Sequence, residues 1–374
     1  MKSISKLCAL GLLCTCAFAL LIPQAAMALG TASGTNIGNT ALLDYQVGGI
    51  DQTQLSSSVN FLVDNKVDLT VVTQDVSEVI VTPGSQFASA QYNVLTVRVT
   101  NTGNTAQDCS LSVVTVATGN PGKFGGTDAF DMTPEPVPTT RIFVNSVVDA
   151  PGSYTNGVDV ANYIDELPAN SYYDVFVVLD APLTAADGEI ASYHLVATIH
   201  DAGAGGSLGA LTTADVGAWN SATVQVVFAD AAGTAAGDAQ YDGKHSDQDD
   251  YEVESADLTV TKSQAVISDP FSAVNPKAIP GATIRYTVDI SNSGSTDADN
   301  VITVDQIPAN TTYVSGSVTT SNSNVGATIT VEYSTDGLSW FPAETVPVAY
   351  IRVTNSVVDS GTGTAQITFD VTVD

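Results

Sequence analysis

Five acidic side chains between residues 242 and 252 are the first candidates for chemistry in this sequence. They are Asp242, Asp247, Asp249, Asp250 and Glu252. Ca²⁺ binds carboxylate oxygens and takes about six to eight oxygen ligands. The spacing lacks the alternating aspartates and the central glycine of an EF-hand loop. The cluster predicts a calcium site or, alternatively, a solvated acidic loop that repels itself.

The three histidines, His194, His200 and His245, are the second candidates, because imidazole is a common metal ligand. On a strand, His194 and His200 would face the same side, since their spacing is even. No third ligand accompanies them, so we favour ordinary polar positions near a strand end. The sequence also lacks a hydrolase elbow, a zinc-protease motif, a P-loop and a dinucleotide fingerprint. We therefore predict no catalytic residues, no bound cofactor and no enzyme activity.

Two further pairs of residues invite a functional interpretation. Lys262 could turn inward and pair with Asp305, or bond to it covalently; the alternative is an exposed lysine that protects a sheet edge. Trp340 and Phe341 could form an aromatic platform for sugar, although a place in the hydrophobic core is the interpretation we favour.

The composition limits the classes of protein to which this chain can belong. The chain has 374 residues, of which 11 are Lys or Arg and 40 are Asp or Glu, for a net charge of −29. This balance argues against nucleic-acid binding, which needs clustered Lys and Arg. Because 44% of the residues are hydrophobic, the chain can bury a core and is unlike a disordered polyelectrolyte.

Residues 1–28 predict a cleaved export signal. Lys2 and Lys6 precede an apolar run, and a small-x-small site places the cleavage after Ala28. No later segment resembles a membrane span, so we expect the mature protein to be extracellular or at the cell surface. The other three cysteines leave with the signal, and Cys109 remains as a small buried side chain or, alternatively, as a link between chains.

The remaining sequence predicts strands, because short Val- and Thr-rich alternating runs recur between Gly, Asn and Pro clusters. Part of this pattern occurs twice. Residues 67–71 (VDLTV) match residues 256–260 (ADLTV), and residues 99–108 (VTNTGNTAQD) match residues 290–299 (ISNSGSTDAD). Two tandem β-sandwich domains of immunoglobulin type are therefore predicted.

The predicted organisation has five parts. They are the signal (1–28), an N-terminal β segment (29–66), a first sandwich with loop insertions (67–230), an acidic Ala/Gly/Asp linker (231–254) and a second sandwich (255–374). The N-terminal segment has strand character outside the repeated unit. We expect it to pair with the first sandwich or, alternatively, to add a strand to a neighbouring copy.

The second sandwich resembles a known family. The segments DLTVTK (257–262), IPGA (279–282), IRYTVDISNSG (284–294) and VDQIP (304–308) occur in order, and together they resemble the conserved repeat called "domain of unknown function eleven". The resemblance covers about residues 255–374 and implies an immunoglobulin-like module of bacterial surface and secreted proteins. It implies no catalytic residues.

These observations predict a non-catalytic, secreted or cell-surface protein with a structural or adhesive role. It could be a self-assembling subunit of an extracellular matrix or filament. The alternative is an extracellular module that binds carbohydrate or another ligand. The expected partners are further copies of the chain, other surface proteins or polysaccharide.

Overall fold

The computed structural model describes residues 30–87, 93–272 and 274–374. The described chain is all-β: an N-terminal hairpin is followed by two β-sandwiches, as the alternating sequence predicts. The predicted signal and the cleavage site after Ala28 lie outside the described residues.

The strands fall into three groups along the chain. The hairpin contains β1 (Asn36–Leu43), β2 (Gln46–Val47), β3 (Ile50–Asp51) and β4 (Leu55–Leu62). The first sandwich contains β5 (Asn65–Val67), β6 (Leu69–Thr73), β7 (Val79–Val81), β8 (Val94–Asn101), β9 (Gln107–Thr115), β10 (Ile142–Val144), β11 (Tyr163–Leu167), β12 (Tyr172–Val178), β13 (Ile190–Asp201), β14 (Val226–Phe228) and β15 (Lys244–Val253). The second contains β16 (Leu258–Ser268), β17 (Thr283–Asn292), β18 (Ala298–Gln306), β19 (Thr311–Tyr313), β20 (Thr319–Asn322), β21 (Ile329–Ser334), β22 (Tyr350–Val358) and β23 (Gly363–Val373).

The first sandwich packs a four-stranded sheet on a five-stranded one. The strand orders are β10-β12-β8-β6 and β11-β9-β13-β15-β7, and β5 pairs separately with β14. Alternation along each strand sends one set of side chains into a shared core, as β8 shows with Leu95, Val97 and Val99. Cys109 is buried in this core on β9. That agrees with the buried position expected from the sequence.

The second sandwich has one shorter sheet. β16-β17-β23-β19 form the larger sheet, with β20 also pairing β23, and β18-β22-β21 form the three-stranded one. Its core is smaller and centres on residues such as Val288, Ile290, Ile367 and Phe369.

The repeated sequence corresponds to repeated structure at one turn. Asn101 and Asn292 end equivalent strands, both are almost fully buried, and in each the amide nitrogen donates to two main-chain carbonyls. The partners are Thr105 (2.8 Å) and Leu167 (2.9 Å) for Asn101, and Thr296 (2.9 Å) and Val358 (3.1 Å) for Asn292. Each amide oxygen accepts the N–H of the glycine two residues on, Gly103 or Gly294. A Cβ on either glycine would come within 2.4 Å of a main-chain oxygen, so the turn requires glycine.

Each sandwich also has a cross-strand ion pair, at positions that the repeat does not match. Arg98 Nε lies 2.8 Å from Asp174, and Arg285 Nε lies 2.8 Å from Asp370. The pairings of β8 with β12 and of β9 with β11 are repeated by β17 with β23 and by β18 with β22. The copies differ beyond β9: β13 and β15 continue its sheet, whereas β18 has no second neighbour among the described strands.

The acidic linker predicted over residues 231–254 is wrong. Its second half is β15, which pairs with β13 from Lys244 to Glu252 and with β7 near Val253. The first sandwich therefore extends to about Glu254, and the connection to β16 is only a few residues long. Asp187 of the first sandwich accepts the N–H groups of Ser255 (2.7 Å) and Ser295 (3.0 Å) across this junction.

Candidate functional site

The N-terminal hairpin has one apolar face and one polar face. β1 and β4 pair antiparallel, with Ile37 opposite Phe61 and Leu43 opposite Leu55. Because side chains alternate, one face collects six apolar residues and two polar ones. The apolar members of this face are Ile37, Ala41, Leu43, Leu55, Val59 and Phe61. The opposite face carries Asn, Gly, Ser and Thr side chains, with Leu42 and Leu62 as its apolar members.

The apolar face of the hairpin is open to solvent. Its large side chains are between 38% (Ile37 and Phe61) and 70% (Val59) exposed. Phe61 lies edge to face with Trp219, with 6.3 Å between the ring centroids. Neither β1 nor β4 contains a charged residue, although the chain carries a net charge of −29. A second molecule can therefore approach this face without bringing like charges together.

The base of the hairpin is fixed to the first sandwich. The amide of Asn104 donates to the carbonyls of Thr31 (3.1 Å) and Asp64 (2.9 Å), and its oxygen accepts the N–H of Lys66. Leu62 N–H donates to Ser221. These contacts hold the hairpin at its root and leave the two eight-residue strands projecting, which is about 27 Å at the usual strand rise.

The five predicted calcium ligands do not converge. Asp247 and Asp249 alternate with Asp250 and Glu252 along β15, so the two pairs face opposite sides of the sheet. Asp242 lies in the preceding turn and accepts the N–H of Lys244. Among the residues that the structure describes, no group of three or more His, Cys, Asp or Glu side chains is placed to hold a metal ion. Calcium at these residues stays a prediction.

Hydrogen-bond donors from elsewhere in the chain pair with the acidic side chains of β15 instead. Asp247 accepts from Lys123 Nζ (2.6 Å) and from the N–H of Thr73 (3.0 Å). The N–H of Phe124 donates to Asp250 (3.1 Å). A lysine and main-chain donors from distant parts of the chain thus allow an acidic strand to lie inside the sandwich.

Two carboxyl groups, the buried Asp249 and the half-buried Asp75, share a hydrogen bond. Asp249 accepts from Thr73 Oγ1 at 2.6 Å and is hydrogen-bonded to Asp75. Burial, reinforced by the charge of Asp75, raises the pKa of Asp249 to about 8. Burial also raises the pKa of Asp75. Asp249 is therefore the protonated partner at neutral pH.

The histidines occupy three separate places. His194 Nδ1 contacts Thr234 Oγ1 at 2.9 Å, and burial lowers its pKa. His200 contacts the carbonyl of Gly209. His245 Nδ1 accepts the N–H of Val71 at 3.1 Å, a contact that joins β15 to β6.

Lys262 and Asp305 form an ion pair between the two sheets of the second sandwich. Lys262 Nζ lies 2.7 Å from Asp305 and 4.9 Å from the centre of the Tyr286 ring. The covalent bond stays a prediction. Trp340 is half-buried with the guanidinium of Arg352 on its ring at 4.5 Å, and Phe341 is 48% exposed. The core position that the sequence favoured for this pair is therefore wrong, and the sugar platform stays a prediction.

The apolar hairpin face is the feature that the sequence interpretation missed. The signal was present in the spacing of Leu55, Val59 and Phe61 on alternating positions, but only the pairing with β1 shows that both strands expose the same face. Among the described residues, no helix is long and apolar enough to cross a membrane.

Comparisons with known proteins find a weak likeness to solved bacterial surface structures. No protein-family model matches the chain, and no curated protein matches it significantly. The RrgB pilus protein of Streptococcus pneumoniae has a TM-score of 0.22 and 11% identity, over 83% of this chain and 45% of that one. The T6 backbone pilin of Streptococcus pyogenes has a TM-score of 0.21 and 11% identity, over 83% and 54%. The collagen adhesin of S. aureus has a TM-score of 0.17 and 12% identity, over 83% and 84%.

The chain spans about half the length of the two pilus proteins. The superpositions are too loose to assign a function, and the all-β class rests on the strand pairing itself. The resemblance to the conserved repeat remains an expectation from the sequence.

Proposed function

We propose that this chain is a non-catalytic, exported structural protein of the bacterial cell surface whose copies join through the apolar face of the N-terminal hairpin. One observation carries the proposal: a two-stranded sheet projects from the molecule with six apolar side chains on one exposed face. Export is inferred from the predicted signal in residues 1–28.

An isolated two-stranded hairpin gains too little burial to be stable alone in water. Contiguous exposed apolar surface on a soluble protein usually marks an interaction site. Further copies of the same chain are the proposed partner, since both hairpin strands are uncharged and the rest of each copy is strongly acidic. Association elsewhere on the surface would bring acidic faces together, at an electrostatic cost that falls with added salt.

The sandwiches then serve as rigid spacers. The described residues that could do chemistry, such as His194, His200 and His245, form structural hydrogen bonds in separate places. This dispersion supports a structural role and lends no support to an enzyme or to a sugar platform at Trp340.

The test compares two charge variants of the full chain by sedimentation velocity. Leu55→Lys with Val59→Lys places two lysines on the apolar face, and Ser56→Lys with Asn60→Lys places two on the polar face of the same strand. The wild type and the polar-face variant should sediment as large particles, and the apolar-face variant as a monomer. Equal assembly of both variants, or a monomeric wild type, would contradict the proposal.

A further inference from the structure

The repeated segment Asp-Leu-Thr-Val has opposite environments in the two sandwiches. In the first, Leu69 and Val71 are 0% and 1% exposed. In the second, the equivalent Leu258 and Val260 are 45% and 66% exposed. One sequence pattern is therefore covered in one domain and open in the other.

Leu258 and Val260 nevertheless point toward the inside of their sandwich. Val260 lies directly opposite Ile290, and Leu258 opposite Asn292; both partners are buried. Directly opposed residues on antiparallel strands share a face. Leu258 and Val260 therefore lie on the core-facing side of β16, where the described part of this sandwich leaves them uncovered.

In the first sandwich β15 provides this cover. The N–H of Val71 donates to His245, and that of Thr73 donates to Asp247, so β15 lies against β6. β15 reaches this position through β13, which lies between it and β9, the counterpart of β18, in a five-stranded sheet. In the described part of the second sandwich, the corresponding sheet has three strands, β18-β22-β21.

The three-stranded sheet stops beside the uncovered residues. The ion pair of Lys262 with Asp305 places β18 opposite β16, and β18 pairs with β22 on one side only among the described strands. Two added strands next to β18 would bring the sheet to five and lie over Leu258 and Val260. These strands need one apolar face, no charge and about the length of β18, which has nine residues.

The N-terminal hairpin has these properties. β1 and β4 are two antiparallel strands of eight residues each, uncharged and apolar on one face. The facing strand β16 carries no acid, and its single charged residue is Lys262. The two surfaces therefore match in strand number, length, polarity and charge.

We infer that the hairpin of one copy inserts beside β18 of the next copy, with its apolar face on Leu258 and Val260. It takes the place beside β18 that β13 and β15, also an antiparallel pair, occupy beside β9 in the first sandwich. This inference rests on the proposed hairpin-driven assembly and names its acceptor. Donor and acceptor are different surfaces of one chain, so the contact is head-to-tail and repeats into a filament.

The test uses full-length chains in which one surface at a time is blocked. Val260→Lys puts a charge on the acceptor face, and Thr261→Lys puts it on the exposed opposite face of the same strand as the matched control. Leu55→Lys with Val59→Lys blocks the donor. Sedimentation velocity is measured for each variant alone and for an equimolar mixture of the donor-blocked and acceptor-blocked chains.

The inference predicts monomers for each blocked variant, wild-type particles for Thr261→Lys, and a one-to-one dimer that grows no further in the mixture. If Val260→Lys assembles like the wild type while the donor-blocked chain does not, the acceptor is wrong but hairpin assembly stands. Dimers of Val260→Lys alone would indicate pairing of hairpin with hairpin and overturn the inference. Assembly of the donor-blocked chain would overturn the proposed function itself.

Discussion

Replacing Asn292 by alanine should destabilise the second sandwich alone. The Asn292 side chain is 1% exposed and makes four hydrogen bonds to the main chain. It donates to Thr296 (2.9 Å) and Val358 (3.1 Å) and accepts from Asp257 (3.1 Å) and Gly294 (3.1 Å). A hydrogen bond contributes about 1 kcal/mol net, so Asn292→Ala should cost about 4 kcal/mol.

The assay is hydrogen exchange followed by mass spectrometry, which resolves the two sandwiches within one chain. At about 1.4 kcal/mol per tenfold change, amide protection in β17, β18 and β22 should fall roughly a thousandfold. Protection in β8, β9 and β11 should stay unchanged. Asn101→Ala should give the converse result at about 3 kcal/mol, since that side chain makes three such bonds.

Ser293→Ala is the control, because this neighbour bonds only at the surface. A loss below about 1 kcal/mol for Asn292→Ala, well under the value expected from four bonds, would refute this reasoning. So would an equal loss of protection in both sandwiches, since the turns are argued to act within their own domains.

Three further outcomes follow from the same structure. The stability contributed by protonated Asp249 is fully present below pH 3.8, its pKa in the unfolded chain, and is lost as the pH rises through about 8, its pKa in the folded protein. The free energy of unfolding then falls by at most about 1.4 kcal/mol per pH unit. Asp249→Asn should remove this slope in denaturant titrations between those pH values, and an unchanged slope would refute the protonation of Asp249. Cys109, buried with a pKa raised to about 12, should resist alkylation until the protein is denatured; labelling of the native protein would contradict its burial. Val59→Thr should raise the concentration for half-assembly roughly thirtyfold, from about 2 kcal/mol of lost apolar burial and added hydroxyl desolvation. Asn60→Thr should leave that concentration unchanged. Equal effects of Val59→Thr and Asn60→Thr would contradict assembly through the apolar face.

The all-β class and the repeated turn could be predicted from the sequence because their causes are local. Alternation sets which face of a strand is buried, and the Asn-x-Gly pattern at Asn101 and Asn292 encodes a turn that only glycine can complete. The structure shows the same hydrogen bonds in both copies.

The acidic strand could not be predicted in the same way. The partners of Asp247 and Asp249 come from Lys123 and Thr73, more than a hundred residues away. Without those partners a run of aspartates is indistinguishable from a solvated linker. The alternation of Tyr251 and Val253 was the only local indication of a buried strand.

The hairpin was only half predicted for a related reason. Strand character in residues 29–66 is visible in the sequence, but an apolar face becomes recognisable as uncovered only when the neighbouring elements are placed. The contrast between Val71 and Val260 shows the same limit, since identical residues in identical local sequence differ in burial through the strands that face them.

The most direct measurement is sedimentation of the native protein washed from the intact cells that produce it, with and without a calcium chelator. Head-to-tail assembly predicts large particles in both conditions, because the hairpin and its acceptor need no metal. Collapse on chelation would instead assign the assembly to calcium, with the predicted ligands from Asp242 to Glu252 as the first residues to change. A monomer in both conditions would contradict the central claim that copies of this chain join through the hairpin.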